Sequence, residues 1–560
     1  MLFYCRNLGG KLGINSQFIK RLFICLLFFV LITPLVFSQH FDMILADDPI
    51  LEDLRLLSLE ARKPFLSFSP PLAPGEIRKF TDSLDTEKLS ANGREAYSRI
   101  QNRLTPSSNI SYTDELFSVL FIPNTTLEGR VRFNPNIEWY PRYYQSPSFF
   151  SAALNASFAN TAQLYFEPIL TDNTSGKAND NFTSNIIYIS NAPIHNVYFL
   201  RAFGAAGGSW WNFQLGRDRL FWGTGHTGSL TFADNSPYFD FARFSLFSST
   251  VKYSVLVNQL PIRLSPALFA DEWLNANLES IDTKHTTLQR YFYLHRIDIK
   301  VFDKISIGLM EGVMIGDSPF EIRYLNPLMV FHTLFAWNDF PKWQPNNGDM
   351  VGSFASVELN WNVFSNFSFY GQFVMNEFTL PGETDEQPDA LGFMAGAQYS
   401  FSFNNWAAIT YLEFIYTDPY LHILSSPFAS FIQMDRASNY YFIGYPRDTM
   451  AVTFGVNMFN NKTLHFLSRF SWLASGQHTV NRGTNGLTWN WEKGPEAMAE
   501  RSPTSTVENK FVLSLTSSWN PYTWLSLKAT IEGIVSLNNN HIPNNKQIGG
   551  QSSFSVGFKY

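Results

Sequence analysis

Leu525-Ser526-Leu527-Lys528-Ala529-Thr530-Ile531-Glu532-Gly533-Ile534-Val535-Ser536-Leu537 decides the fold class. Leu525, Leu527, Ala529, Ile531, Gly533, Val535 and Leu537 fall on one phase of a two-residue period, and Ser526, Lys528, Thr530, Glu532 and Ser536 on the other. Successive side chains of a strand point to opposite faces, so this run predicts a strand with one apolar and one polar face.

The same period spreads outward from it. Phe554, Val556, Phe558 and Tyr560 make a last alternating strand with a terminal aromatic. Upstream, alternating runs meet at short turn signals: Phe302-Asp303-Lys304, Asn404-Asn405 and Asn460-Asn461-Lys462, each reading as a tight hairpin. Long polar segments (171–182, 337–350, 381–390, 476–507 and 538–551) separate the hairpins. Short turns on one side, long loops on the other and strands near ten residues are the pattern of an antiparallel transmembrane β-barrel in an outer membrane. Trp361, Trp406, Trp472, Trp519 and Tyr522, near strand ends, fit its interfacial girdles.

Composition agrees. The chain has 560 residues, 16% charged and 16% aromatic, with a mean hydropathy of -0.10. Soluble proteins carry about 25% charged residues, and helical membrane spans would raise the mean hydropathy. At the N-terminus, Lys11, Lys20 and Arg21 precede the apolar run 22–37, and Val36-Phe37-Ser38 offers a small-residue cleavage site, so residues 1–38 read as a signal peptide. Losing Arg6, Lys11, Lys20 and Arg21 takes the formal charge from -6 to -10, which argues against nucleic acid as a partner. Both cysteines, Cys5 and Cys25, leave with that segment. No thiol chemistry and no cofactor are expected.

Between leader and strands the period is helical. Asp48-Pro49 is a helix start with Leu51, Leu54, Leu57 and Ala61 following; Ile77, Phe80 and Leu84 mark a second helix from Glu76, and Tyr97, Ile100 and Leu104 a third.

One stretch interrupts the strand pattern: Gly216-Arg217-Asp218-Arg219-Leu220-Phe221-Trp222-Gly223-Thr224-Gly225-His226-Thr227-Gly228-Ser229-Leu230. Its literal G-x-G-x-x-G lacks the following helix that a dinucleotide site needs. His226 with Ser229 and Asp218 or Asp234 has no nucleophile elbow, and no H-E-x-x-H or other metal-ligand spacing occurs. Alternation in Trp211, Phe213 and Leu215 ends at Gly216, so the chain turns inward there.

This stretch, with Asn235-Ser236-Pro237, resembles the signature of the Wzi-type capsule-assembly outer-membrane proteins, approximately glycine-arginine, a gap, then FWGPGHxGSL. Leu294-His295-Arg296-Ile297-Asp298, Glu311, Asn326-Pro327-Leu328, Glu413 and Tyr416-Thr417 match in order. Thr224 stands where the family pattern has proline, and the loops match nothing in it, which leaves the glycan open. The resemblance implies an 18-stranded barrel over 111–560 with a small periplasmic α-helical domain over 39–110. It implies a non-enzymatic outer-membrane lectin that retains capsular or other surface polysaccharide. Outer-membrane lipid surrounds such a barrel, and the polysaccharide-export machinery is a further candidate partner.

Sugars offer hydroxyl edges and apolar faces, so aromatic and amide groups are the candidate contacts. Arg217, Asp218, Arg219, Trp222 and His226 are candidates for carbohydrate binding or for a lumen network. Trp343, Trp489 and Trp491 on long loops, with Trp337, are the other candidates. The alternative reading is a passive or substrate-selective pore.

Overall fold

The computed structural model describes residues 41–105, 111–113, 117–134, 137, 147–170, 181–185, 198–233, 238–262, 288–316, 319–331, 351–377, 388–424, 429–435, 438–441, 444–460, 463–478 and 494–560. The leader at 1–38 and Trp337, Trp343, Trp489 and Trp491 lie outside them. Eighteen antiparallel strands form a closed ring. Phe117–Phe133, the first, pairs with Gln547–Lys559, the last, and leaves no open edge. Two three-residue strands, Ser111–Thr113 and Phe182–Ser184, pair onto that first strand.

Tight turns at 302–304, 404–405 and 365–366 lie at one end, together with the start of the first strand and the end of the last. The longer connections lie at the other end. Along most of the wall one phase of the strand is exposed and apolar, as at Leu309, Phe369, Leu412, Phe454, Leu513 and Ile531. An apolar band of that extent is a lipid-facing surface. Among the described residues no helix is long and apolar enough to cross a membrane; the strands do the crossing.

The helical segment holds α1 (Ile50–Glu60), α2 (Pro74–Thr81) and α3 (Ala91–Arg103). Asp48 Oδ1 accepts the Ile50 N–H at 3.1 Å. The second helix begins at Pro74 rather than Glu76, because proline suits a first turn whose N–H has no intrahelical partner. Ser90 caps the third helix. Leu54, Leu57, Ile77, Phe80, Ala96 and Ile100 form one core that continues onto Ala407 and Ile409 of the strand Trp406–Thr417. Polar bonds secure the dock at the tight-turn end: Asn92 Nδ2 donates to the Trp406 carbonyl at 2.8 Å, Asn362 Nδ2 to the Ser58 carbonyl at 2.6 Å, and Arg62 to the Val363 carbonyl.

The lumen differs from the simple alternating picture, in which inward residues are polar. Phe239, Phe241, Leu256, Phe292, Leu294, Met310, Phe354, Val374, Met394 and Ile415 form one buried cluster with Leu220, Trp222, Leu230, Phe232, Tyr420, Leu421, Phe431 and Tyr445. The second set belongs to two long connections, between Trp211–Asp218 and Phe239–Phe247 and between Trp406–Thr417 and Thr449–Asn460, both folded into the barrel. These inward strand positions are apolar because protein, not water, covers them, while others remain polar and bond to that protein. The strand Gln547–Lys559 also begins inside a segment that reads as loop from its polarity.

Candidate functional site

The interrupting stretch becomes a plug across the lumen. Gly216 has φ 133°, and a Cβ there would strike the Ala202 carbonyl, so only glycine fits; the strand nevertheless runs on in register through Asp218, and the chain turns in two residues later than the end of alternation predicts. The Trp222 N–H then bonds the Phe232 carbonyl at 2.9 Å, closing a loop whose Trp222 and Phe232 rings meet edge to face at 5.2 Å. At Gly228, φ 155°, an added Cβ would lie 2.9 Å from Gly444 Cα. The two inward connections thus cross backbone against backbone, and the Gly444 N–H bonds the Ser229 carbonyl at 3.0 Å.

Buried side chains satisfy the plug's backbone, as groups shut off from water require. Glu413 is the centre. Its carboxylate accepts the N–H of His226 at 2.5 Å and of Thr227 at 3.0 Å, the Tyr370 hydroxyl at 2.7 Å, and the Thr227 hydroxyl. Gln372 accepts the Leu230 N–H at 2.8 Å and donates to the Trp222 carbonyl at 3.2 Å. From the helical segment, Arg55 donates to the Thr224 carbonyl at 2.5 Å and to that of Gly225 at 3.1 Å. The Gly223 N–H bonds the Phe68 carbonyl at 2.8 Å. Helices and plug are therefore bonded to each other inside the barrel.

Trp222 and His226 belong to that network; Asp218 is held elsewhere in the lumen, and Arg217 with its partner Asp240 stands on the outward phase of its strand, not in the lumen where the inward turn expected from the sequence would place it. Asp218 is fully buried, held by Arg201 at 2.9 Å and Gln214 at 2.9 Å, and Arg201 also reaches Asp47 at 2.7 Å. Arg217 binds Asp240 through two nitrogens at 2.8 and 2.9 Å, its guanidinium 3.9 Å from the Tyr238 ring centre. Arg219 is half-buried and within electrostatic reach of Asp47. Trp222 has no exposed surface and sits 5.7 Å from the Arg296 guanidinium. His226 stacks on Tyr411 at 4.1 Å, and its Nε2 pairs with Gln398 at 2.8 Å. Burial pushes its imidazole well below the ordinary range, and the Arg55 charge adds to the shift. His226 and Ser229 bond in different directions, Ser229 to the Trp222 carbonyl. Among the described residues no three His, Cys, Asp or Glu side chains lie together as metal ligands would.

Sequence reasoning passed over a second surface, the hairpin Asn538-Asn539-Asn540-His541-Ile542-Pro543-Asn544-Asn545-Lys546 at the long-loop rim. It is tied down from within: Asn538 Nδ2 donates to the Val507 carbonyl at 3.0 Å, the Asn544 N–H to Asn538 Oδ1 at 3.0 Å, and Asn545 Nδ2 to the Asn539 carbonyl at 3.1 Å. Asn538, Asn540, His541 and Asn544 have φ between 53° and 64°, a left-handed conformation that asparagine tolerates. That bracing leaves Asn540, Ile542, Asn544 and Lys546 exposed around a fixed backbone. Clustered amides beside an apolar residue were the available signal; they read as a polar loop.

A closed, plugged antiparallel ring with a lipid-facing band and a helical seal at its tight-turn end defines an outer-membrane β-barrel. The family model described as capsule assembly protein Wzi matches residues 137–458, and the chain belongs to that family. Among solved structures it is similar to Wzi of Escherichia coli, described as an outer-membrane protein involved in group 1 capsule assembly and a carbohydrate-binding β-barrel. Identity is 12% over 92% of this chain and 98% of that one, with a TM-score of 0.53. The Pseudomonas aeruginosa proteins OccD3 and OprD align over 79% of this chain at 8% identity, covering 91% and 95% of theirs, each with a TM-score of 0.39. Among curated proteins no sequence matches.

Proposed function

We propose that this protein is an outer-membrane lectin that binds and retains capsular or other surface polysaccharide at the cell surface, without covalent chemistry. The observation that carries this reading is the packing inside the barrel of a chain of the Wzi family: among the described residues, wall strands share one buried core with two inward connections and another with the helices, which suits a platform better than a conduit. In this reading the motif residues Asp218, Trp222 and His226 hold the platform from within the lumen, while Arg217, paired with Asp240, ties neighbouring strands together on the wall's outward side. Polymer contact falls to the long-loop rim, where Asn540 and Asn544 can bond sugar hydroxyls and Ile542 can meet a sugar's C–H face. Residues 39–110 act from the periplasmic side, where polysaccharide-export machinery could be met.

The test is the partition of surface polysaccharide between washed cells and medium, with the gene intact, deleted, or restored carrying Asn540→Gly and Asn544→Gly. Glycine keeps the left-handed backbone and removes only the amides. Polymer should move to the medium on deletion with total synthesis level, and the double variant should retain less than the intact protein. Unchanged partition on deletion would overturn the reading.

A further inference from the structure

The outer wall is not lipid-facing everywhere. Along Leu288–Val301, Phe292, Leu294 and Arg296 face the lumen, so Tyr291, Tyr293 and His295 face outward, beside the outward Val313 and Ile315 of Ile305–Gly316. Outward residues nearby are exposed, Leu309 and Val357 each at 43%. Tyr293, Val313 and Ile315 instead retain 1%, 0% and 3%. Their cover is the segment Pro319–Phe331. Tyr324 and Phe331 join them in a separate apolar cluster, with Tyr324 5.1 Å from Tyr293, Phe331 4.5 Å from His295 and Phe320 5.9 Å from Tyr291 between ring centres. The segment therefore lies against the outside of the barrel.

We propose that Pro319–Phe331 is a membrane-embedded strap, and that the surface it presents is occupied by the acyl chains of the surrounding lipid. Its depth follows from its anchors. The strap leaves the wall at the long-loop end, after Gly316, yet the Tyr253 hydroxyl donates to the Pro327 carbonyl at 2.9 Å, and Tyr253 stands two residues from Val251, where its strand begins at the tight-turn end. Its exposed side is mostly apolar, with Ile322 77% and Leu328 88% exposed beside Arg323 and Asn326, and continues the belt of Leu309, Val357 and Leu359. Irregular backbone survives in hydrocarbon only where protein meets its polar groups. The wall does so at two points, where Tyr293 Oη accepts the Glu321 N–H at 3.0 Å and the Tyr253 hydroxyl serves the Pro327 carbonyl, and within the strap Asn326 Oδ1 accepts the Leu328 N–H at 3.1 Å. The charges are paired too, Arg323 with Glu321 at 2.5 Å, and a half-exposed arginine can extend its head toward the interface.

The experiment places a nitroxide at Leu328→Cys in the full-length protein in liposomes and reads collision with oxygen, which partitions into lipid, against a water-soluble nickel chelate. Leu309→Cys serves as the lipid reference and Ile542→Cys as the aqueous one. The expected oxygen-to-nickel ratio at 328 matches that at 309 and exceeds that at 542. A ratio like that at 542 would place the strap in water and overturn the proposal. Low collision with both agents, with dipolar broadening between labels, would make the occupant a second copy of the chain and overturn it equally. Tyr253→Phe with Tyr293→Phe should raise nickel collision at 328; no rise would refute the role given to those hydroxyls.

Discussion

Glu413 shows how one side chain can hold a loop. Its carboxylate serves two N–H groups and two hydroxyls away from water. Glu413→Gln keeps the shape but turns one end into a donor facing other donors. Leaving a buried group unsatisfied costs about 1–3 kcal/mol, so amide exchange at 226 and 227 should quicken roughly tenfold or more while the strand amides hold. The neighbouring histidines add a pH dependence. Burial lowers His226 well below the usual range and His422 to about 3, so both stay neutral in the folded plug, whereas in the opened chain they take a proton near pH 6.5. The sign follows: the opened state binds more protons, so the stability is present above about pH 6.5 and is lost as the pH falls, by up to about 1.4 kcal/mol per unit for each histidine. Exchange of the plug amides, corrected for intrinsic rates, should accelerate between about pH 7 and pH 5, and His226→Gln should roughly halve that dependence, leaving the share of His422. A flat profile in the unaltered protein would contradict the argument.

At the scale of elements, what the sequence shows depends on which side of an element meets water or lipid. Leu525–Leu537 was legible because its outward face meets lipid and its inward face is mostly polar; Ile534, on the inward side, joins the plug core and is its one irregular residue. Strands such as Leu288–Val301 were harder. Tyr291, Phe292, Tyr293 and Leu294 are apolar or aromatic on both faces, one side filled by the plug and the other by the strap, so the alternation fades. The inward connection around Tyr420, Leu421, Ile423 and Leu424 is apolar for the same reason, and a search for polar loops passes it by. The motif and its inward turn were legible, whereas the choice between sugar contact and a packed network was not, because arginine, tryptophan and histidine suit both. Arg55 ties α1 to that network. Arg55→Ala removes two bonds from a charged donor, worth about 1.5–3 kcal/mol each, and should expose the amides of 223–226 to exchange while the barrel's melting stays nearly unchanged.

For the whole molecule, the pore and the platform differ in one property that belongs to the closed ring rather than to any residue. A polymer retained at the surface needs a fixed outer rim and no passage beneath it, and a barrel of this girth left open would leak solutes. The described lumen carries an apolar cluster that runs from Phe239 across Trp222 to Val512 and Ile534, and water entering it would have to hydrate those side chains at about 25 cal/mol per Å². The purified protein in planar bilayers should therefore show no steady conductance. Excising Phe221–Thr231 removes Trp222 and the Glu413-bound turn, and should produce discrete openings, noisy because the wall beneath remains apolar. Steady open channels in the intact protein would restore the pore reading. Silence in both forms would mean that the helices and the second inward connection seal the ring without the first, shifting the barrier from the motif to the dock of the helical segment on Ala407 and Ile409.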